Sequence, residues 1–353
     1  MKGRVALCGL VAAMVGLAFA LPVAELPAKQ AEQPPEQADL VDRSVSSALQ
    51  FLAHSQNPSG SWNASFGESK AATSLAVMAF LAAGYVPGEG PYSQEIERGV
   101  NWLLSQQDGD GSFGDRNVQG PMYSHGISTL MLAEILGMTP EAESERVRRG
   151  LEKGVRLILK AQDVRKGQRD EGGWRYHANS SDSDLSVTGW QLLALRAAKN
   201  VGCDVPAENI DKAVAYVKRC STRDNHGFCY QPGDGPTSVR SGTGILALEI
   251  CGEHHSAEAL GAADYVLEHP LNERQAFFFY GAYYCAVGMF QIGGRHWEGT
   301  RDHLTRVLTT TQRADGGWDV MDGAEQVGGR IYATSMAVLA LAVEYQYLPI
   351  YQH

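Results

Sequence analysis

The sequence predicts an all-α fold: a single closed ring of six helical hairpins, an α6/α6 toroid of twelve helices. Three observations predict it. First, one phrase recurs: Gln, a few polar residues, Gly-x-aromatic, then an apolar helix. It reads Gln56…Gly60-Ser61-Trp62, Gln107…Gly111-Ser112-Phe113, Gln162…Gly172-Gly173-Trp174 and Gln312…Gly316-Gly317-Trp318, with a degenerate copy at Asn225-His226-Gly227-Phe228. The aromatic positions are 51, 61 and 54 residues apart, and the last gap of 90 holds two units. Such a period marks stacked supersecondary units. Second, two kinds of helix alternate along the chain. Third, the last helical segment, 334–343, is as apolar as the internal ones. An open solenoid would need a polar cap there, so the array closes on itself.

The first helix of each unit is amphipathic. Val41, Val45, Leu49 and Leu52 fall at i, i+4, i+8 and i+11; Ile96, Val100 and Leu103 repeat the pattern, as do Val147, Leu151, Val155 and Ile158. The second helix, at 73–83, 126–136, 188–198 and 242–250, is apolar nearly all round and must be covered on both sides. The fifth unit is irregular. Its first helix is expected near 257–267 and its second in the aromatic run Phe277 to Tyr284, without the Gly-aromatic turn. The sixth runs from about Arg301 to Tyr347.

Residues 1–20 read as a cleaved signal peptide: Lys2 and Arg4, an apolar run from Val5 to Phe19, and Ala18-Phe19-Ala20 as the cleavage site. The run is short for a bilayer span, so an exported protein, periplasmic or secreted, without a stable membrane span is expected. Residues 21–38, rich in Pro, Glu, Gln and Ala, read as a disordered spacer, and 39–353 as the toroid. Net charge is −10, and −12 once Lys2 and Arg4 are removed, which argues against nucleic acid as a partner. Of the six cysteines, Cys203, Cys220, Cys229, Cys251 and Cys285 survive cleavage, and Cys220 with Cys229 has the spacing to close a short loop. No Cys or His cluster has zinc spacing, so neither a metal nor a cofactor is expected.

The Gln…Gly-x-Trp phrase resembles the repeat of squalene–hopene cyclases, oxidosqualene cyclases and protein prenyltransferase β subunits, over essentially all of residues 39–347. The resemblance implies that the Gln amide caps the outer helix end while the Trp ring packs on it. It also implies places to look for chemistry. The cyclases protonate an alkene with Asp-x-Asp-Asp at the head of an inner helix; the nearest match is Asp182-Ser183-Asp184-Leu185, which is incomplete. Asp182 and Asp184 therefore have three readings: a helix N-cap, a polar ligand contact, or a cyclase acid. The prenyltransferases hold zinc through Asp, Cys and His on inner helices; the corresponding stretches, Tyr280-Gly281-Ala282 and Tyr332-Ala333-Thr334, carry none of the three. Cys251-Gly252-Glu253-His254 departs from the thioester-domain phrase at its last position and reads as coincidence.

Small-residue pairs register the inner helices: Thr73-Ser74, His125-Gly126, Thr188-Gly189, Ser241-Gly242, Tyr280-Gly281 and Thr334-Ser335. At this level Lys70, Tyr123, His125, Asp184, Arg240 and Arg330 are expected to form a polar ring at one mouth of the central cavity. Trp190, Phe277, Phe279, Tyr280, Tyr283 and Tyr284 would supply aromatic walls or core packing. A ligand site at the mouth of an apolar cavity follows, with a small apolar molecule as partner. The alternatives are an isoprenoid cyclase using Asp182 or Asp184, and a secreted carbohydrate-active toroid using Arg240, Arg330 or Asp184.

Overall fold

The computed structural model describes residues 35–352, apart from 117, 140 and 322. The expected leader and the spacer as far as residue 34 lie outside the described residues. Twelve α-helices run in chain order: α1 (Pro35–His54), α2 (Lys70–Ala82), α3 (Ser93–Ser105), α4 (Pro121–Met138), α5 (Glu141–Gln162), α6 (Leu185–Asn200), α7 (Ala207–Arg219), α8 (Ser238–Glu249), α9 (Ala257–Glu268), α10 (Phe278–Ile292), α11 (Gly294–Thr311) and α12 (Gly329–Leu341). The spacer boundary at residue 38 moves: α1 already begins at Pro35, because proline fits a first helical turn, where its missing N–H costs nothing.

The even-numbered helices form an inner ring in which α2 packs on α4, α4 on α6, and so on to α12, which packs back on α2. The odd-numbered helices lie outside. The two periodicities explain the sorting. α3 buries only Ile96, Gly99, Val100 and Leu103, whereas α2 buries every residue but Ala71. The inner helices touch through their small residues: a Cβ on Gly126 would lie 2.4 Å from Gln191, and one on Gly242 2.7 Å from the Cys285 backbone.

The recurring phrase fastens the first, second, third and sixth repeats each to its neighbour, but with the helix cap supplied by the indole and not the glutamine. The indole N–H caps the outer helix: Trp62 Nε1 donates to Leu52 O (2.7 Å), Trp174 Nε1 to Ile158 O (2.8 Å) and Trp318 Nε1 to Leu308 O (2.9 Å). The glutamine amide instead bridges its own turn to the next outer helix. Gln56 Nε2 donates to Gly60 O and Glu95 O, Gln107 to Gly111 O and Gly150 O, and Gln162 to Gly172 O and Asn209 O. Gln312 Nε2 donates to Gly316 O and to Ser44 O (2.9 Å), while Ser44 Oγ donates to Gln312 Oε1 (2.7 Å). The sixth repeat is thereby joined to the first by the device that joins the first four in series, and α12 packs on α2 and α1 to close the ring.

The glycine of the turn has a physical requirement. Gly172 sits at φ +88°, and a Cβ there would lie 2.2 Å from Lys212 O on α7. Gly172→Ala is expected to destabilise the fold by roughly 2–4 kcal/mol, from left-handed backbone strain plus displacement of α7. A thermal melt unchanged from wild type would refute this close approach.

A short antiparallel hairpin, β1 (Trp62–Ala64) with β2 (Gly67–Ser69), precedes α2 and is not foreseen by the sequence patterns; Ser65 and Phe66 make its turn and Gly67, at φ +106°, opens β2. The five thiols are free: Cys220 and Cys229 are not bridged but pair through backbone, Cys229 N donating to Cys220 O at 2.8 Å. No helix among the described residues is long and apolar enough to cross a membrane.

Candidate functional site: a one-ended central cavity

All six inner helices begin at the same end of the ring, and their first turns enclose a cavity of about 540 Å³. Its wall takes Ala71, Ala72 and Leu75 from α2, Tyr123, Ser124 and Ile127 from α4, Ser186 and Trp190 from α6, Val239 and Arg240 from α8, Tyr280 from α10 and Tyr332 from α12. Loops complete the rim with Ala64, Phe66, Asp115, Tyr176, Tyr230, Phe277 and Glu325. This size and mainly apolar, aromatic lining suit a small ligand.

The far end is sealed. Trp190 stacks on Tyr283 (centroids 5.6 Å apart, 9° between planes) and meets Tyr284 edge-on. Tyr351, from the C-terminal 3₁₀ turn Pro349–Tyr351, is buried against them and bonds the Tyr283 hydroxyl at 2.5 Å. Ile350 N donates to the buried Glu134 carboxylate (3.2 Å). Burial lifts the Glu134 carboxyl to about 8.

Helix starts in this wall are capped by carboxylates and hydroxyls. Asp115, in the loop after Phe113, accepts from Lys70 N, Ser69 Oγ and Ser124 Oγ, so it caps α2. Glu325 accepts from Phe279 N, Tyr280 N and the Tyr332 hydroxyl, capping α10. Without it α10 would start uncapped, since Phe277 is left-handed (φ 63°) and offers no side-chain bond. Asp184 caps its own helix through Val187 N at 2.9 Å.

Five of the expected site and wall residues line the cavity: Tyr123, Trp190, Arg240, Phe277 and Tyr280. The others stand elsewhere. Lys70 is buried, its Nζ drawn to Gly114 O (2.9 Å) and towards Asp108 (4.0 Å) in the neighbouring turn. His125 is fully buried: Nδ1 accepts from Phe113 N (3.1 Å) and Nε2 faces Gly154 O (3.1 Å). It fills the post held by a hydroxyl in other repeats, where Thr73, Thr188, Ser241 and Thr334 accept from Trp62 N, Trp174 N, Phe228 N and Trp318 N. Desolvation lowers its pKa to about 4, so it is neutral and structural. Phe279 lies outside the cavity, in a separate hollow with Phe278, Thr310 and Trp318, while Phe277 stands at the rim. Arg330 is held outside the cavity by both oxygens of Asp315 (2.9 and 2.8 Å) and by Asp319 (2.9 Å).

Asp182 is half exposed and pairs with Arg175 Nη1 at 3.1 Å. Asp184 is fully buried and is not itself among the cavity-lining residues. Its Oδ2 lies 3.4 Å from Arg175 Nε and forms no well-made hydrogen bond. Burial raises its carboxyl to about 7 against the opposing pull of Val187 N–H and Arg175. Burial first, and the Asp184 charge second, raise the Tyr123 phenol.

Tyr176 and Tyr230, whose hydroxyls meet at 2.6 Å, line the cavity without having been foreseen. A signal for them exists in the repeat. Each stands two residues after the turn aromatic, and so do the lining residues Ala64 and Asp115. Among the described residues no group of three His, Cys, Asp or Glu side chains is placed to hold a metal ion.

Residues 34–174 match the family model of the squalene-hopene cyclase C-terminal domain, and residues 279–350 that of the prenyltransferase alpha-alpha toroid domain. The chain is squalene cyclase- and prenyltransferase-like. No curated protein matches this squalene cyclase-like ring. Among solved structures, a variant of a type II terpene cyclase from Scytonema bound to geranylgeranyl dihydroxybenzoate is 13% identical, with TM-score 0.57, over 89% of this chain and 99% of that one. An inactive variant of an α-1,6-mannanase from Salegentibacter, bound to α-1,6-mannotriose, has TM-score 0.66 at 8% identity, over 87% and 99%. A glycosidase bound to glucose has TM-score 0.61 at 12% identity, over 90% and 100%. At these identities the likeness is one of fold.

Proposed function

We propose that this squalene cyclase-like ring is an exported protein that holds a small apolar molecule, isoprenoid-like or similar, in its central cavity without transforming it. The observation carrying this reading is the cavity itself. It is walled by all six inner helices, mainly aromatic and aliphatic, and closed at one end. Its two lining carboxylates, Asp115 and Glu325, are occupied as helix caps. A group whose lone pairs already accept several N–H and O–H bonds is a poor proton donor to an alkene.

A second reading, an isoprenoid cyclase, rests on Asp184. That buried carboxyl is lifted to about 7 and keeps one oxygen free of a well-made bond, close behind Tyr123 and Tyr230.

Native mass spectrometry of the protein made with its leader in an exporting host tests these proposals together. The expected result is a mature chain lacking residues 1–20 that carries an apolar molecule and, given geranylgeraniol, retains it unchanged. An intact leader would overturn export, and an empty cavity that takes up no isoprenoid would overturn ligand binding. Release of a cyclised product, lost in Asp184→Asn, would put the cyclase reading first.

A further inference from the structure

Arg240 is the one cation in the cavity wall among the described residues. It stands in the first turn of α8, half-buried, with its guanidinium 5.2 Å above the ring of Tyr230. Arg175 lies over the same ring at 5.5 Å, and the two differ in one respect. Arg175 is balanced by Asp182 and Asp184, at 3.1 and 3.4 Å. Among the described residues no carboxylate pairs with Arg240 and its guanidinium makes no hydrogen bond; the bond to Thr237 Oγ1 is made by its backbone N–H. A guanidinium drawn partly out of water and left without an anion carries an unrecovered desolvation cost, and its planar donor fork matches a carboxylate.

The charges around it limit what that anion can be. Asp115 and Glu325 also face the cavity, and both are ionisable groups bonded to helix N-termini. A singly charged head is matched one for one by Arg240. Each further charge on a doubly or triply charged head has no cation of its own in the wall and adds repulsion from the carboxylates.

We propose that the ligand is an amphiphilic monocarboxylic acid, its carboxylate paired with the Arg240 guanidinium and its apolar body lying against Leu75, Ile127 and Trp190. This rests on the reading of the cavity as an apolar ligand site and names the chemical class that the site selects. The planar head pairs with two guanidinium N–H groups, and the Tyr230 face holds the guanidinium in place from the other side. The three body-contact residues are the deepest in the cavity, each five or six residues past the start of its inner helix.

Calorimetric binding of three matched probes tests the proposal: farnesoic acid, farnesol and farnesyl phosphate. Wild type is expected to bind the acid at least ~10-fold more tightly than the alcohol, as a charge-assisted pair implies. The dianionic phosphate is expected to bind no better than the acid. Arg240→Gln is expected to bring acid binding down to that of the alcohol while leaving the alcohol unchanged, with a thermal melt matching wild type to show that the ring is intact. Equal binding of acid and alcohol by wild type would overturn the carboxylate inference and leave the apolar cavity standing. So would an Arg240→Gln variant that weakens both probes alike. Tighter binding of the phosphate would overturn the single charge. Failure of all three probes to bind would overturn the cavity reading itself.

Discussion

Trp174→Ala is expected to be the most damaging single replacement in the ring, costing ~4–5 kcal/mol, a large part of the stability of an ordinary domain. Two losses combine. The indole is almost wholly buried between α5 and α6, so its removal leaves a ring-sized void. It also removes the Nε1 hydrogen bond to Ile158 O near the end of α5. Trp174→Phe separates these terms, since it keeps most of the ring and loses only the N–H, for about 1–2 kcal/mol. Urea unfolding of both variants is the measurement. A cost below ~1.5 kcal/mol for the alanine variant would mean that the turn aromatic merely fills space.

The second large effect is a dependence on pH set at the sealed end of the cavity. Glu134 is buried beneath the C-terminal turn and its carboxyl is lifted from about 4.5 to about 8, by desolvation first, with Ile350 N–H opposing. Between those values the unfolded chain has released the proton that the folded chain keeps. Stability therefore falls as pH rises through this window and levels off above it, by an amount on the order of a few kcal/mol. Asp184, lifted to about 7, acts in the same direction, so the wild-type slope contains both groups. Glu134→Gln keeps an oxygen for Ile350 N and removes the titration. Its urea midpoint is expected to exceed that of wild type above pH 8 and to approach it near pH 5. Parallel curves for the two proteins would dismiss Glu134 as the source.

Much of the ring was legible in the sequence because its determinants are local. The 3.6-residue pattern of Val41, Val45, Leu49 and Leu52 makes a one-sided helix wherever it is placed, and the all-apolar segments need cover on both sides. The spacing of the turn phrase then sets the number of hairpins. What stayed hidden depends on partners far along the chain. Glu325 caps a helix 45 residues before it, and Asp115 one that starts 45 residues before it. His125 read as a polar rim group, but a histidine nitrogen accepts a backbone N–H as well as the threonine hydroxyls in the other repeats do. Arg330 read as facing the cavity, yet Asp315 and Asp319 in the preceding turn offer it a closer pair of charges. The polar ring foreseen at the mouth thus shrinks to Tyr123 and Arg240, and the tyrosines two residues after Trp174 and Phe228 fill the space.

The bonds between Gln312 and Ser44 join residues 268 apart, and this has a consequence for how the molecule is made. Every other fastener forms between neighbours as soon as the next hairpin has been synthesised, but this one must wait for the last. Until then the growing protein is an open crescent whose two end hairpins each present an apolar helix with nothing on its flank. Such edges are complementary to one another. They also fit the opposite edge of a second crescent, so linked or domain-swapped multimers are the expected error of its assembly when the protein is concentrated.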